Sequence, residues 1–462
     1  MKTIAFHNLG CKVNSYEMEV MQQKFIESGY LVVPFDDKAD IYLVNTCTVT
    51  NIADRKSRQM LHRAKKTNPE AVVVATGCYV QTDTEGAMAD ESIDLCVGNN
   101  RKADIVRIVE EYIESKAVTS IDTVFDINAG AQYEEMTLTA TAERVRAYIK
   151  IQDGCNQFCT YCAIPYARGR VRSRKEENIL DEIRGLVSAG YKEFVLTGIH
   201  ISSYGMDFID KNSGDYLAGS KDVRAIAYEK EYLLNLIRAV ALIDGVKRIR
   251  LGSLEPRIVT EHFVEELAKI KSVCPHFHLS MQSGCDATLK RMNRHYTTAE
   301  YMERVNILRK YYVNPAITTD VITGFPGETE EEFAITEQFV SDVNFYETHI
   351  FKYSPRKGTV AAGLKDQNAD AVKSARSDRL EAINNAHKSD YMNAHIGSKV
   401  SVLIEEEKTI NGKEYMVGHT PDYIMVALPV NGLKVNDICE GVIAGKLNAD
   451  VMEMLEFEAI IG

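Results

Sequence analysis

The chain has 462 residues, 45% of them hydrophobic, and a formal net charge of -12; this is apolar material for about three domains and too acidic a balance for a wholly basic nucleic-acid binder. Net charge governs solubility and steering rather than single contacts, so any RNA contact must come from local cationic patches. Ten cysteines in a chain this long point to metal thiolates rather than to a disulfide framework, which belongs mostly to small secreted domains.

The stretch Met1 to Gly10 lacks the basic region, apolar core and cleavage site of a signal peptide. No apolar run approaches the roughly 18 residues that span a bilayer, so the expectation is a soluble cytoplasmic protein without a membrane partner. TIAFHNL, an amphipathic run from Ser15 to Ser28, DIYLVNT, a charged helix through Arg55 to Lys66, and AVVVATG alternate as strand, helix, strand, helix, strand. That pattern predicts a βαβαβ unit with a mostly parallel sheet over residues 1–117. Cys11, Cys47 and Cys78 each follow one of the three strands. In a parallel sheet those ends share one edge, so cysteines distant in sequence can converge. Each is flanked by small or turn-forming residues; three semi-buried packing cysteines are the plainer account.

From Ala117 to Ala142 the pattern weakens into Thr, Ala, Asp and Glu, which predicts a linker over 118–143. Six strand-like segments follow: Val145 to Gln152, Glu193 to Ile199, Arg248 to Ser253, His276 to Met281, Ile317 to Thr323 and Phe345 to Tyr353. With helical intervals between them they predict an α/β domain over 144–394, a (β/α) barrel or partial barrel whose site lies at the carboxyl ends of the strands. The irregular segment Ser203 to Tyr232 reads as a surface insertion. A charged helical run from Asp366 to Ala394 leads to a tail, 395–462, of short strands with turns at NGKE and VNGLKV, which predicts a small β-barrel.

The strongest chemical signal is CNQFCTYC, where Cys155, Cys159 and Cys162 follow the first barrel strand. Three thiolates hold three irons of a cubane and leave the fourth open to a substrate or cofactor. A structural zinc site is the alternative, but zinc motifs usually pair two close ligands with two distant ones. The spacing and its place after a barrel strand resemble the radical S-adenosylmethionine superfamily, in which the cofactor chelates the open iron and is cleaved to a 5′-deoxyadenosyl radical. That resemblance implies catalytic roles for Cys155, Cys159 and Cys162. It also implies a cofactor wall of Tyr161, Gly198, Ser253, Glu255, Gln282, Ile322 and Gly324; His200 stands where the family usually has an acidic residue. Taken singly, these are ordinary polar strand ends and a Pro-Gly turn.

With a three-cysteine amino-terminal domain and a β-barrel tail around that centre, nearly the whole chain resembles the methylthiotransferases. LGCKVNSYE, NTCTVTNIAD, TGCYVQ, CNQFCTYCAIPYARGRVRSR, DVITGFPGETEEEF and VGHTPDY are most similar to the branch acting on N6-threonylcarbamoyladenosine beside the anticodon of tRNA. Other branches act on isopentenyl-adenosine in tRNA or on a ribosomal-protein aspartate. The resemblance implies two [4Fe-4S] clusters, the second on Cys11, Cys47 and Cys78, and two uses of S-adenosylmethionine. One methylates a sulfur on the second cluster; the other generates the radical that removes hydrogen from C2 of adenine. An electron donor such as flavodoxin or ferredoxin and a sulfur source are implied as partners. A non-catalytic iron–sulfur RNA-binding sensor is the reading from a different class.

For RNA, the sequence offers Arg55, Lys56, Arg58, Arg63, Lys65 and Lys66 in one island and Arg168, Arg170, Arg172 and Arg174 in another. The first could equally be a solvated helix face. The tail resembles a TRAM domain, an RNA-binding β-barrel, although it carries acidic residues at 405 to 407 and few basic ones; VGHTPDY within it favours RNA. Cys96, Cys274, Cys285 and Cys439 are expected to be packing residues.

Overall fold

The computed structural model describes residues 2–115, 123–129, 132–139, 145–209 and 223–460. Its first unit is a fully parallel sheet of β1 (Thr3–Asn8), β2 (Leu31–Val33), β3 (Ile41–Thr46), β4 (Val72–Gly77) and β5 (Leu95–Val97), in the order β2-β1-β3-β4-β5. The central strands read as continuous apolar runs because helices cover both faces. The two edge strands are three residues each, too short to show a periodicity in the sequence. Helix α1 (Lys12–Glu27) buries Tyr16, Val20 and Phe25 against the sheet. Helix α2 (Asn51–Thr67) is capped by the Thr50 hydroxyl, which accepts from the Ala53 amide, and buries little beyond Ser57, Leu61 and Ala64.

The second unit contains β6 (Arg146–Asp153), β7 (Arg172–Ser173), β8 (Glu193–Gly198), β9 (Arg248–Leu251), β10 (His276–His278), β11 (Ala316–Thr323) and β12 (Glu347–Lys352). Six of these run parallel in the order β6-β8-β9-β10-β11-β12. Single bridges at Ile249–Val273 and Leu254–Leu279 join its two halves. The two-residue β7 lies antiparallel on the outer edge of β6. The result is a partial barrel. Two of its helices open on capping boxes legible in the sequence, Thr297 with Glu300 and Thr329 with Glu332.

Residues 370–393 form one long helix. It leads into a closed antiparallel-rich barrel of β13 (Lys399–Ile410), β14 (Lys413–His419), β15 (Met425–Pro429), β16 (Ile438–Lys446) and β17 (Val451–Ile460), ordered β13-β14-β15-β17-β16. Asn411 and Gly412, both at positive φ, make the tight β13–β14 turn.

Where the segment after residue 117 is described, it is packed rather than loose. Met136 and Leu138 are buried, the Leu138 amide donates to Glu182 Oε1 at 2.6 Å, and Tyr133 donates to the Lys150 carbonyl at 2.8 Å. It is an arm lying along the junction of the first two units. Of the expected insertion, 210–222 lies outside the described residues; on either side Tyr204 donates to the Arg174 carbonyl at 3.0 Å, and Tyr228 of the helix Val223–Glu229 donates to Glu255 at 3.5 Å. Among the described residues no helix is long and apolar enough to cross a membrane.

The VGHTPDY segment closes the amino-terminal end of the partial barrel. Arg248 donates to the His419 carbonyl and Arg250 to that of Pro421, each at 2.8 Å. The Tyr423 ring lies between His276 and His419, at 4.9 and 4.5 Å between centroids, with the guanidinia of Arg146 and Arg250 5.1 and 4.7 Å from its centre. Glu193 faces Arg250 at 3.0 Å, Arg248 at 3.5 Å and Arg146 at 3.6 Å. The motif is therefore an internal anchor, with the His419 ring bound to Glu405 and Asp422 to Thr420 and His395. Glu193 keeps Arg248 and Arg146 when Arg250 is removed, but the buried carbonyl of Thr420 and the half-buried one of Pro421 lose their donor, so Arg250→Ala is expected to destabilise the protein by about 1–3 kcal/mol. The measurement is a lowered urea midpoint, with the tail barrel released early in limited proteolysis.

Candidate functional site

Because β1, β3 and β4 are parallel neighbours, the residues following them lie on one edge. Cys11 precedes α1, Cys47 follows β3, and Cys78 begins α3 (Cys78–Thr82) directly after β4. Glycine makes the approach possible. Gly10 (φ 113°) would place a Cβ 3.1 Å from Cys47 Sγ, and Gly77 (φ 100°) would place one 2.5 Å from the Thr46 carbonyl. Cys47 and Cys78 are buried, while Cys11 is open to a cavity. Burial, with Cys78 and Cys11 as neighbours, pushes the Cys47 thiol up to about 12; Cys11 is raised by desolvation despite its exposed surface, since protein surrounds it. Protonated thiols crowded together exchange their protons for a thiophilic cation.

The second trio stands at the carboxyl end of β6. Gly154 (φ 72°) turns the chain so closely that a Cβ would overlap the Arg170 carbonyl, and Phe158 (φ 49°) holds a strained conformation between the cysteines. The Gln157 amide donates to Cys155 Sγ at 3.5 Å, and Arg294 donates to Cys159 Sγ at 3.4 Å. Burial pushes Cys155 up to about 11 and raises Cys162 further, with Cys159 and Cys155 adding to the latter. Asn293 donates to the carbonyls of Gln157 and Phe158, and Thr160 is bound to the backbone of Arg291 and Met292. The RMNR segment thus cradles the cysteine loop. Sequence reasoning missed Asn293 and Arg294, since neither stands in a spacing that marks chemistry.

Among the described residues no three His, Cys, Asp or Glu side chains close on one ion-sized point. A cubane asks for something else, thiolates spread over three corners and an open fourth, and each trio supplies three cysteines with nearby backbone or side-chain donors. Cys11 and Cys162 line the same cavity, of about 400 Å³, together with Tyr161, Gln282, Ile322 and Lys352.

Of the other expected cofactor residues, Gln282 takes a left-handed turn (φ 72°) with its amide on the Asp320 carbonyl at 2.8 Å. Gly324 (φ 68°) lies behind that wall, where the Lys373 side chain fills the space of a Cβ and Glu328 accepts its amide at 2.7 Å. Gly198, Ser253 and Glu255 stand on the neighbouring ends of β8 and β9, outside the cavity lining. Glu255 is buried and held by Arg257 at 2.6 Å, whereas Ser253 is exposed. His200 bonds Ser203 Oγ at 2.7 Å and Gln157 at 3.3 Å, and burial lowers it to about 4, so it is neutral at pH 7.

The arginine run does not form an RNA face. Arg168 and Arg174 are fully buried and Arg172 nearly so; Arg168 binds Glu17, Arg172 faces Asp153, and Arg174 pairs with Glu182 and Glu135. Four arginines close together in sequence suggested a cationic island, but this segment runs between two units, and only Arg170 reaches solvent, over the Phe158 ring at 4.4 Å. In the other island Arg55, Lys56, Arg63 and Lys66 are exposed, Arg58 and Lys65 half-buried; Arg63 pairs with Asp36 and Lys65 with Asp94. Glu405 binds His419 and Arg146, while Glu406 and Glu407 face solvent. Cys96, Cys274, Cys285 and Cys439 are all buried.

A family profile described as the Radical SAM superfamily matches residues 149–340, and another, described as uncharacterized protein family UPF0004, matches residues 3–98. The chain is 41% identical over 427 residues to the threonylcarbamoyladenosine tRNA methylthiotransferase MtaB of Bacillus subtilis (strain 168), covering 92% of this chain and 90% of that one. It is 33% identical over 410 residues to the tRNA-2-methylthio-N(6)-dimethylallyladenosine synthase of Moorella thermoacetica, covering 87% of each. The radical S-adenosylmethionine methyltransferase TsrM from Kitasatospora setae, solved with cobalamin and a [4Fe-4S] cluster, shares the fold at a TM-score of 0.53 and 15% identity, over 82% of this chain and 85% of that one.

The tight turn before the triplet yields a direct test. Gly154→Ala is expected to lower iron retained after anaerobic reconstitution to the level of Cys155→Ala, measured against the parent chain. Retention at the parent level would show that the loop does not need this backbone.

Proposed function

The chain belongs to the tRNA methylthiotransferase family of radical S-adenosylmethionine enzymes, and from that premise we propose that it places a methylthio group on C2 of N6-threonylcarbamoyladenosine in tRNA. The observation that carries this reading is the shared cavity, which has a cysteine of each trio in its wall. Cys155, Cys159 and Cys162 would hold one [4Fe-4S] cluster with an open iron, and Cys11, Cys47 and Cys78 a second. When bound, S-adenosylmethionine and the clusters supply hydrogen abstraction and the methylthio group, chemistry needed because no side chain is basic enough to deprotonate an aromatic C–H.

The protein's own part is to bind, orient and keep water out. Tyr161, Gln282 and Ile322 in the cavity wall, with Gly198, Ser253, Glu255 and Gly324 around it, would hold the cofactor. Val49, Phe351 and Tyr353 give the same cavity an apolar side suited to a purine. Lys352 adds a cation to that wall, and its ammonium bonds Ser374 Oγ at 2.9 Å. A threonylcarbamoyl group carries a carboxylate and a dimethylallyl group carries no charge, so this lysine supports the former substrate. The ribosomal-protein and sensor readings are not favoured, since the relatives at 41% and 33% identity bear the names of tRNA-modifying enzymes.

Helix α2 starts directly after the cavity residues Thr48, Val49 and Thr50. Its exposed Arg55, Lys56 and Lys66, with Arg170, would meet tRNA phosphates and make binding salt-dependent. The same reading assigns 1–117 to the second cluster, 144–394 to the radical chemistry and 395–462 to a TRAM-like barrel docked by its own anchor. A flavodoxin or ferredoxin would supply electrons and a separate donor the sulfur, in the cytoplasm.

Anaerobically reconstituted protein, given S-adenosylmethionine, a reductant and threonylcarbamoylated tRNA, is expected to yield a methylthio mass gain on that nucleoside together with 5′-deoxyadenosine. Mass spectrometry of digested tRNA reads both. Deoxyadenosine without the gain would move the substrate elsewhere; neither product, with clusters intact, would favour a binding protein. Cys155→Ala should abolish deoxyadenosine while the amino-terminal cluster still assembles. Lys352→Met should lower kcat/KM on threonylcarbamoylated tRNA by roughly tenfold or more, the worth of one charge-assisted hydrogen bond, without reducing the binding of S-adenosylmethionine.

A further inference from the structure

Behind the amino-terminal cysteines lies a group of buried charges whose signs do not match. Glu17 on α1 accepts from Lys102, from Lys150 at 2.7 Å, and from both terminal nitrogens of Arg168 at 2.8 and 3.0 Å. Asp153, at the end of β6, faces Lys150 at 2.7 Å, Arg168 at 3.2 Å and Arg172 at 3.6 Å. Each of these six side chains is at most 8% exposed. Two carboxylates therefore meet four cations. Glu134, whose carboxylate accepts the Ala103 amide at 2.7 Å, borders the group, and even counting it as ionised one positive charge is left over. An uncompensated cation in a dry interior is strongly unfavourable.

The groups that could match it lie on the other side of Arg168. Its Nη2 donates to Asn14 Oδ1 at 2.6 Å, and Asn14 donates in turn to the carbonyls of Thr46 and Leu9, beside Cys47 and Cys11. Asn99 donates to the Ala167 carbonyl at 2.8 Å and reaches Cys78 Sγ at 3.8 Å. Arg168 Nε is buried without a partner.

We infer that Arg168 is a positioning residue for the metal site of Cys11, Cys47 and Cys78: it offsets the negative charge of three metal-bound thiolates and ties α1 to β6 through Glu17. The inference rests on the reading that these cysteines hold the second cluster. A [4Fe-4S] core of charge two plus on three thiolates is a net anion, and one-electron reduction deepens that charge. A nearby cation therefore eases reduction.

The test uses the full chain carrying Cys155→Ala, Cys159→Ala and Cys162→Ala, so that only the amino-terminal site can load. Arg168→Met in that background is expected to give a more negative midpoint in an EPR-monitored redox titration and faster loss of iron to a chelator. A midpoint and an iron-loss rate equal to the parent's would overturn the inference. Should Arg168→Met not fold, Arg168→Lys decides: charge is kept but the paired bonds to Glu17 are lost, so the midpoint stays near the parent's while iron leaves faster. Parent-like retention in that variant overturns the inference as well. Failure of the triple-alanine parent itself to bind iron would instead overturn the two-cluster reading, before Arg168 is touched.

Discussion

The position of everything at the cavity depends on the buried junction between α1 and β6. Glu17 on one unit and Asp153 on the other share Lys150 and Arg168, and the described arm residues Tyr133 to Leu138 pack over the same junction. Such groups are costly to bury singly and direction-specific when paired, which fixes one orientation of the two sheets where an apolar contact alone would let them slide. With that orientation set, the strand ends of the first sheet face the strand ends of the partial barrel.

Two ends of the partial barrel then take different work. At the amino-terminal end the VGHTPDY anchor fills the opening with stacked rings and guanidinia. At the carboxyl-terminal end the strands leave a mainly apolar cavity with a few polar groups, the usual constitution of a site that takes a small aromatic ligand. A mainly apolar wall suits a radical reaction, because it offers a reactive species few polar groups and limits its contact with water. Closing one end with a separate barrel keeps the six short strands together without crowding the other.

Legibility in the sequence followed how local each signal is. The triplet Cys155, Cys159 and Cys162 lies within eight residues, so its grouping needed no fold to be seen. That Cys11, Cys47 and Cys78 stand at one edge needed only the rule that parallel strands end on one side. The arginines after the triplet misled for a physical reason. Charge in a string of residues says nothing about which side of it faces a second unit, and Arg168, Arg172 and Arg174 turned inward to buried carboxylates, that of Arg168 lying on α1. His419 and Tyr423 take up internal contacts, since a polar motif in a tail serves an internal contact as readily as an external one. Asn293 and Arg294 were invisible because their role is set by the loop they support.

By itself the sequence determined the α/β, partial-barrel and β-barrel classes and the residue types able to hold iron, because periodicity and close spacing are properties of neighbouring residues. Only the tertiary structure decided that Cys11 and Cys162 border one cavity, that the arginine run is interior, and that four buried cations outnumber their carboxylates. Those relations turn on contacts between distant segments, such as Glu17 with Lys150 and Arg168, and they exist only once packing has chosen which surfaces meet.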